Sequence, residues 1–129
     1  MARGETVSAA VGVGCRAGAS ADAIVRLVRE ALAKAGLDAA PLHAPAGKAG
    51  PALAQAAARL GSSLHLVDEA ALRGVADRVI SHSPRVAALY GVGSVAEAAA
   101  LLGAGEASRV VVAKFSADGV SCAVAKGEP

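Results

Sequence analysis

A short run near the start of the chain, Gly12-Val13-Gly14-Cys15-Arg16, gathers residue types that could do chemistry. Gly12 and Gly14 let a ligand approach the main chain closely, because no Cβ stands in the way. Arg16 offers a planar fork of donors suited to a carboxylate. A helix expected from Ala21, capped by Ser20 and with Asp22 in its first turn, adds free N–H groups and a partial positive charge. The same glycines would also serve a plain strand-to-helix turn with Arg16 in solvent; the binding reading is preferred. Cys15, ahead of that helix and beside Arg16, is expected to have a lowered thiol pKa. No histidine is placed by sequence to act as its base, so a non-catalytic role is read for it. The run is not a dinucleotide fingerprint, since Ala17 stands where a third glycine is needed.

Four further candidates lie downstream. Lys48 sits in the turn-rich segment Ala44-Pro45-Ala46-Gly47-Lys48-Ala49-Gly50, where it would meet an anion or simply point to solvent. Lys114 interrupts the apolar stretch Val110-Val111-Val112-Ala113 and Phe115. Desolvating an unpaired ammonium is costly, so this lysine snorkels, pairs, or faces a ligand cleft, and the cleft is preferred. Ser83 would donate to a ligand or cap a helix before Pro84. Glu97 is the fourth residue of Ser94-Val95-Ala96-Glu97, a capping-box pattern that explains it without a ligand; as an acid bordering the cleft it is the lesser reading. His43, His65 and His82 lack metal-ligand spacing. No metal, cofactor or catalytic residue is assigned, and the expected ligand-binding set is Gly12, Gly14, Cys15, Arg16, Lys48, Ser83, Glu97 and Lys114.

These residues need elements to hold them. Small and β-branched residues from Thr6 to Val13 predict a buried strand. Ile24, Leu27, Val28, Ala31, Leu32 and Ala35 recur at helical spacing over Ala21 to Ala35, and Gly36 ends that helix. A second strand is expected over Leu37 to His43, and a helix from Pro51 to Leu60, closed by Gly61. Leu64 to Val67 reads as a third strand, Asp68 as the cap of a short helix to Leu72, and Val75 to Ile80 as another extended piece. Ser83-Pro84 opens a short helical turn ending near Gly91. Ser94 starts a helix through Leu102 that Gly103 terminates. Arg109 to Ser116 and Val120 to Ala125 are strand signals around Ala117-Asp118-Gly119, and Asp-Gly between apolar runs predicts a hairpin. The order predicts a single three-layer α/β/α domain with a mixed sheet, parallel at first and closing in an antiparallel hairpin, its ordered core about residues 6–126.

Composition narrows the partners. The chain has 129 residues, of which 54% are hydrophobic and 19% charged, enough for an aliphatic core in one domain. Tyr90 and Phe115 are its aromatic residues apart from histidine, too few for stacking nucleic-acid bases. The net charge of +2 is small and its cations are scattered, which argues against a phosphate-tracking surface. Cys15 and Cys122 are far apart and are read as free thiols. With no apolar run near the roughly 20 residues of a membrane span and no signal-peptide pattern, a cytoplasmic address is expected.

Gly12-Val13-Gly14-Cys15-Arg16 resembles the G-[IV]-G-C-R opening of the CobE and CbiG C-terminal family of cobalamin biosynthesis. The likeness continues through Lys48, the Ser-x-x-Val of Ser83 to Val86, the run from Gly91 to Leu101, Lys114, and the terminal strand Ser121-Cys122-Ala123-Val124-Ala125. Lys48 is followed by Ala49-Gly50-Pro51 where the family commonly has an acidic residue, and Ser121 replaces the family's threonine but keeps its hydroxyl. The resemblance implies a stand-alone CobE-like protein that binds or handles a precorrin-type tetrapyrrole intermediate in building the corrin ring. It implies, as an alternative, hydrolysis of a precorrin δ-lactone with loss of acetaldehyde, as in CbiG-type proteins, whose additional domains have no counterpart in these residues. A non-catalytic subunit docking onto other enzymes of the pathway is a further alternative. No nucleic acid and no membrane is expected as a partner.

Overall fold

The computed structural model describes residues 8–48 and 50–127. Thr6 and Val7 of the expected first strand lie outside them. Five strands form one sheet: β1 (Ala9–Cys15), β2 (Leu42–Pro45), β3 (Leu64–Val67), β4 (Arg109–Ala117) and β5 (Val120–Lys126), in the order β3-β2-β1-β5-β4. β1, β2 and β3 run parallel, while β5 is antiparallel to both β1 and β4. The mixed sheet and its closing hairpin are as the sequence predicts. Asp118 (φ 54°) and Gly119 (φ 80°) both take left-handed conformations at the hairpin tip, the backbone of a two-residue turn whose twist suits its strands.

Alternation along β1 assigns the two faces. Val11 and Val13 pack with α1 (Ala21–Ala35) and α2 (Pro51–Leu60), in a core that also holds Ile24, Val28, Leu42, Leu53, Val120 and Val124. Ala10 turns to the other face, against α5 (Val95–Ala104) and the buried Leu72 of α3 (Glu69–Arg73). A short helix, α4 (Pro84–Tyr90), packs beside α3 and precedes α5 in the chain. The result is the three-layer α/β/α arrangement.

α5 is alanine-rich and buried on almost every side, from Ala96 to Leu101 and at Ala104. Its small side chains let it lie close on the sheet, and Gly12 completes the fit. A methyl group there would overlap the Ala96 carbonyl and stand 2.7 Å from the Ala100 nitrogen. α5 also runs through Gly103 to Ala104 instead of stopping at Leu102. At Gly103 the absent side chain leaves room for the His43 ring, whose Nδ1 lies 2.5 Å from where a Cβ would be.

Two other expectations change. β2 starts at Leu42, not Leu37, because the Leu37 N–H bonds back to the Leu32 carbonyl (2.9 Å) and finishes α1. Val75 to Ile80 is not extended. It forms a 3₁₀ turn over Ala76–Arg78 that buries Val75 and Val79 against the α5 layer, with Arg78 donating to the Ser108 carbonyl at 2.7 Å.

Candidate ligand-binding cleft

β1 and β2 end side by side, and a cavity of about 1050 Å³ opens beyond their carboxyl ends. Such ends are the usual place for ligands in open α/β sheets. The loop Gly14–Ala19 forms one wall, and Gly47 with the start of α2 forms a second. α4 and the start of α5 form a third, and the β4–β5 hairpin closes the fourth. The arrangement follows from the register: Cys15 pairs with Val120, so the first loop and the hairpin emerge together.

Five of the expected site residues border this space: Gly14, Cys15, Arg16, Ser83 and Lys114. The Arg16 N–H donates to the Gly119 carbonyl (2.8 Å), and its own carbonyl accepts from Ala19 (3.1 Å), closing a turn that leaves the side chain exposed. Ser83 caps α4, its Oγ accepting from the Val86 N–H at 3.4 Å, and faces the cavity as well. Lys114 is half-buried on β4, and among the described residues no carboxylate lies within ion-pair distance of its ammonium.

Gly12 and Glu97 do not border the cavity. Gly12 is buried under α5, where its lack of a side chain makes space for the helix backbone. Glu97 is fully buried on α5. Half of the capping box forms, with Ser94 Oγ accepting from the Glu97 N–H at 3.2 Å, but the carboxylate turns away from Ser94 to Ile80, Ser81 and Lys114. The side chain of Lys48 lies outside the described part of the structure.

The lowered thiol expected at Cys15 is corrected. Its residue ends β1, with a full loop between it and α1, and burial pushes the thiol above its ordinary value. Cys122 is fully buried in the core, which pushes its thiol much higher; both cysteines are free.

Sequence reasoning misses Arg85 and Tyr90, which α4 brings to the cavity wall. The segment Pro84–Tyr90 buries no residue, so no apolar stripe marks which side faces the cavity. The scarcity of aromatics was the one available signal at Tyr90. Arg16, Arg85 and Lys114 thus give the cavity three cations, while its single carboxylate among the described lining residues, Asp118, is paired with Arg26 at 3.5 Å. Hydroxyls add neutral donors, including a Ser116–Ser121 pair 2.7 Å apart across the hairpin. The histidines stand elsewhere or at the edge: His43 and His65 stack at 4.7 Å on β2 and β3, and His82 lines a small hollow beside Ser83. No group of three or more potential metal ligands occurs among the described residues, and no helix in them is long and apolar enough to cross a membrane.

The chain matches the family "Cobalamin synthesis G C-terminus" over residues 9–125. Two solved structures share 33% identity with it. One is CobE, a protein from the cobalamin (vitamin B12) biosynthetic pathway, with TM-score 0.82 over 93% of this chain and 90% of that one. The other is cobalamin biosynthesis protein chiG from Agrobacterium tumefaciens str. C58, with TM-score 0.77 over 94% and 99%. A cobalamin biosynthesis protein G homolog from Sulfolobus solfataricus, 16% identical, shares the fold at TM-score 0.63; this chain matches 38% of its length. No curated protein matches the chain in sequence. Family match and structural likeness agree over nearly the whole chain: it belongs to the cobalamin synthesis G C-terminus family and is a cobalamin biosynthesis protein of CobE/CbiG C-terminal type.

Proposed function

We propose that this protein is a cytoplasmic binder of a precorrin-type tetrapyrrole intermediate and holds it in the cavity at the carboxyl ends of β1 and β2. One observation carries the reading: Arg16, Arg85 and Lys114 surround a cavity whose sole described carboxylate is already paired. Precorrins are flat macrocycles fringed with acetate and propionate groups, so they need separated cations around an aliphatic floor. Ile24, Leu53, Val86 and Val120 supply apolar lining here. The volume of about 1050 Å³ stands at the upper end of ordinary small-molecule sites, as a large ring requires.

Binding is favoured over lactone hydrolysis. The thiol at the site is pushed up by burial, away from the nucleophilic form, and the other titratable groups at the wall are cations, a tyrosine and a paired aspartate. Uroporphyrin, which carries the same kinds of carboxylate on a coloured ring, is a convenient probe. Its visible spectrum should shift on titration with the protein, and Arg16→Ala or Lys114→Ala should each weaken binding by about tenfold, the loss of one charge-assisted contact. No spectral change at high micromolar protein would retire the proposal. Acetaldehyde released from a precorrin lactone by the isolated chain would replace it with the hydrolase reading.

A further inference from the structure

Glu97 carries a charge into the interior, and no cation among the described residues is within ion-pair distance of it. One carboxylate oxygen accepts from the main-chain N–H groups of Ile80 (2.7 Å) and Ser81 (2.9 Å). The other accepts from Ser81 Oγ (2.6 Å) and the Lys114 N–H (2.8 Å). Burial by itself pushes this carboxyl up, but the four donors outweigh it and hold the group below its ordinary value. An apolar side chain of similar volume would avoid desolvating a charge but would leave the Ile80, Ser81 and Lys114 N–H groups without this acceptor. The charge must therefore serve geometry.

That geometry converges on Lys114. β4 carries two irregularities in its pairing with β5, and Lys114 falls in the second, between Val112 and Phe115. Where Val112 opposes Val124 and Phe115 opposes Cys122, β4 has one residue more than its partner, a bulge of the kind that re-aims a side chain. The N–H at the bulge goes to Glu97. Because the carboxylate is saturated by neutral donors, it takes the main chain of Lys114 and leaves the ammonium at the cavity wall with no ion-pair partner among the described residues. The same oxygens fix the Ile80–Ser81 segment, which leads directly into Ser83 and α4.

We infer that Glu97 is a positioning residue: its carboxylate seats the Lys114 bulge against the Ile80–Ser81 segment, so that the Lys114 ammonium is presented to a ligand carboxylate. This rests on reading the cavity as a ligand site. A double-mutant cycle with uroporphyrin as probe tests it, comparing the parent protein, Glu97→Gln, Lys114→Ala and the double variant, each checked by thermal melting. Gln keeps the shape but sets an NH₂ group among N–H donors, which loosens the bulge. Each single change should weaken binding about tenfold, and the double variant should bind no more weakly than Lys114→Ala alone, since without an ammonium there is nothing to aim. A merely structural residue would give independent losses. A double variant weakened about a hundredfold, or Glu97→Gln with unchanged affinity, overturns the inference and leaves the cavity reading intact. A parent protein that does not bind the probe overturns both. Should Glu97→Gln not fold, Ser81→Ala, which removes one of the four bonds, enters the same cycle with a few-fold loss that must again vanish beside Lys114→Ala.

Discussion

At Cys15 the local surroundings decide between two opposite expectations. A cation beside it and a helix beyond it would lower the thiol pKa, yet the strand end buries the sulfur and the helix starts too late to matter. Alkylation by iodoacetamide, followed by mass spectrometry from pH 7 to 9, should run several-fold slower at Cys15 than at a free thiol. Arg16→Ala should leave that rate nearly unchanged, because burial is its cause; a marked slowing would restore the electrostatic explanation. Glu97 shows the complementary case, a charge that burial disfavours and hydrogen bonds retain. Its carboxyl is depressed in the folded state, so its contribution to stability is present above the ordinary glutamate value of about 4.3 and is lost as pH falls through the lower folded value. Glu97→Ala should cost about 3 kcal/mol near neutral pH by leaving buried donors unpaired. The difference in melting temperature from the parent should shrink as the pH is lowered into the acid range. A difference that stays constant down to acid would show that the carboxylate is not the source of the stability.

Among the elements, those with strong local signals were legible and those decided by tertiary packing were not. Ser20 with Gly36 bounds α1, Pro51 with Gly61 bounds α2, and Asp118-Gly119 turns the hairpin, each through chemistry contained in a few neighbouring residues. Leu37 and Val75–Ile80 have strand composition, but Leu37 finishes α1 and packs on the α1–α2 core, while Val75 and Val79 line the α5 layer, choices made by packing on opposite faces of the sheet. The same holds for the site. Arg16, Ser83 and Lys114 announce themselves by type and context, whereas Arg85 and Tyr90 reach the cavity only because α4 folds beside it. Gly12 was legible as a close-approach glycine, but what comes close is the backbone of α5. Gly12→Ala should therefore act on stability first. Overpacking against a helix backbone that cannot swing aside should cost about 2–3 kcal/mol, read as a lower urea midpoint with unchanged slope. A variant as stable as the parent would mean that α5 shifts easily, and the tight sheet–helix fit would lose its importance.

For the molecule as a whole, charge is nearly balanced, with 13 Lys and Arg against 11 Asp and Glu. On the proposed reading, long-range attraction for an anionic ring would accordingly be weak, and recognition would depend on where the three cavity cations stand, not on how many the surface carries. Exposed charges farther apart than a Debye length, about 10 Å at 0.1 M salt, scarcely sense one another, but a ligand carboxylate seated against Arg16, Arg85 or Lys114 is well inside that distance. Salt should still weaken the contact, because each cation lies at a solvent-open wall. Uroporphyrin affinity should fall by about tenfold between 50 and 500 mM salt, and a porphyrin with half as many carboxylates should show a shallower slope. Removing Lys114 should flatten the uroporphyrin slope as well as lower the affinity, since one of the screened contacts is gone. An affinity indifferent to salt would assign binding to the aliphatic floor alone, with the cations as bystanders. A slope unchanged by Lys114→Ala would place the ring elsewhere on the protein.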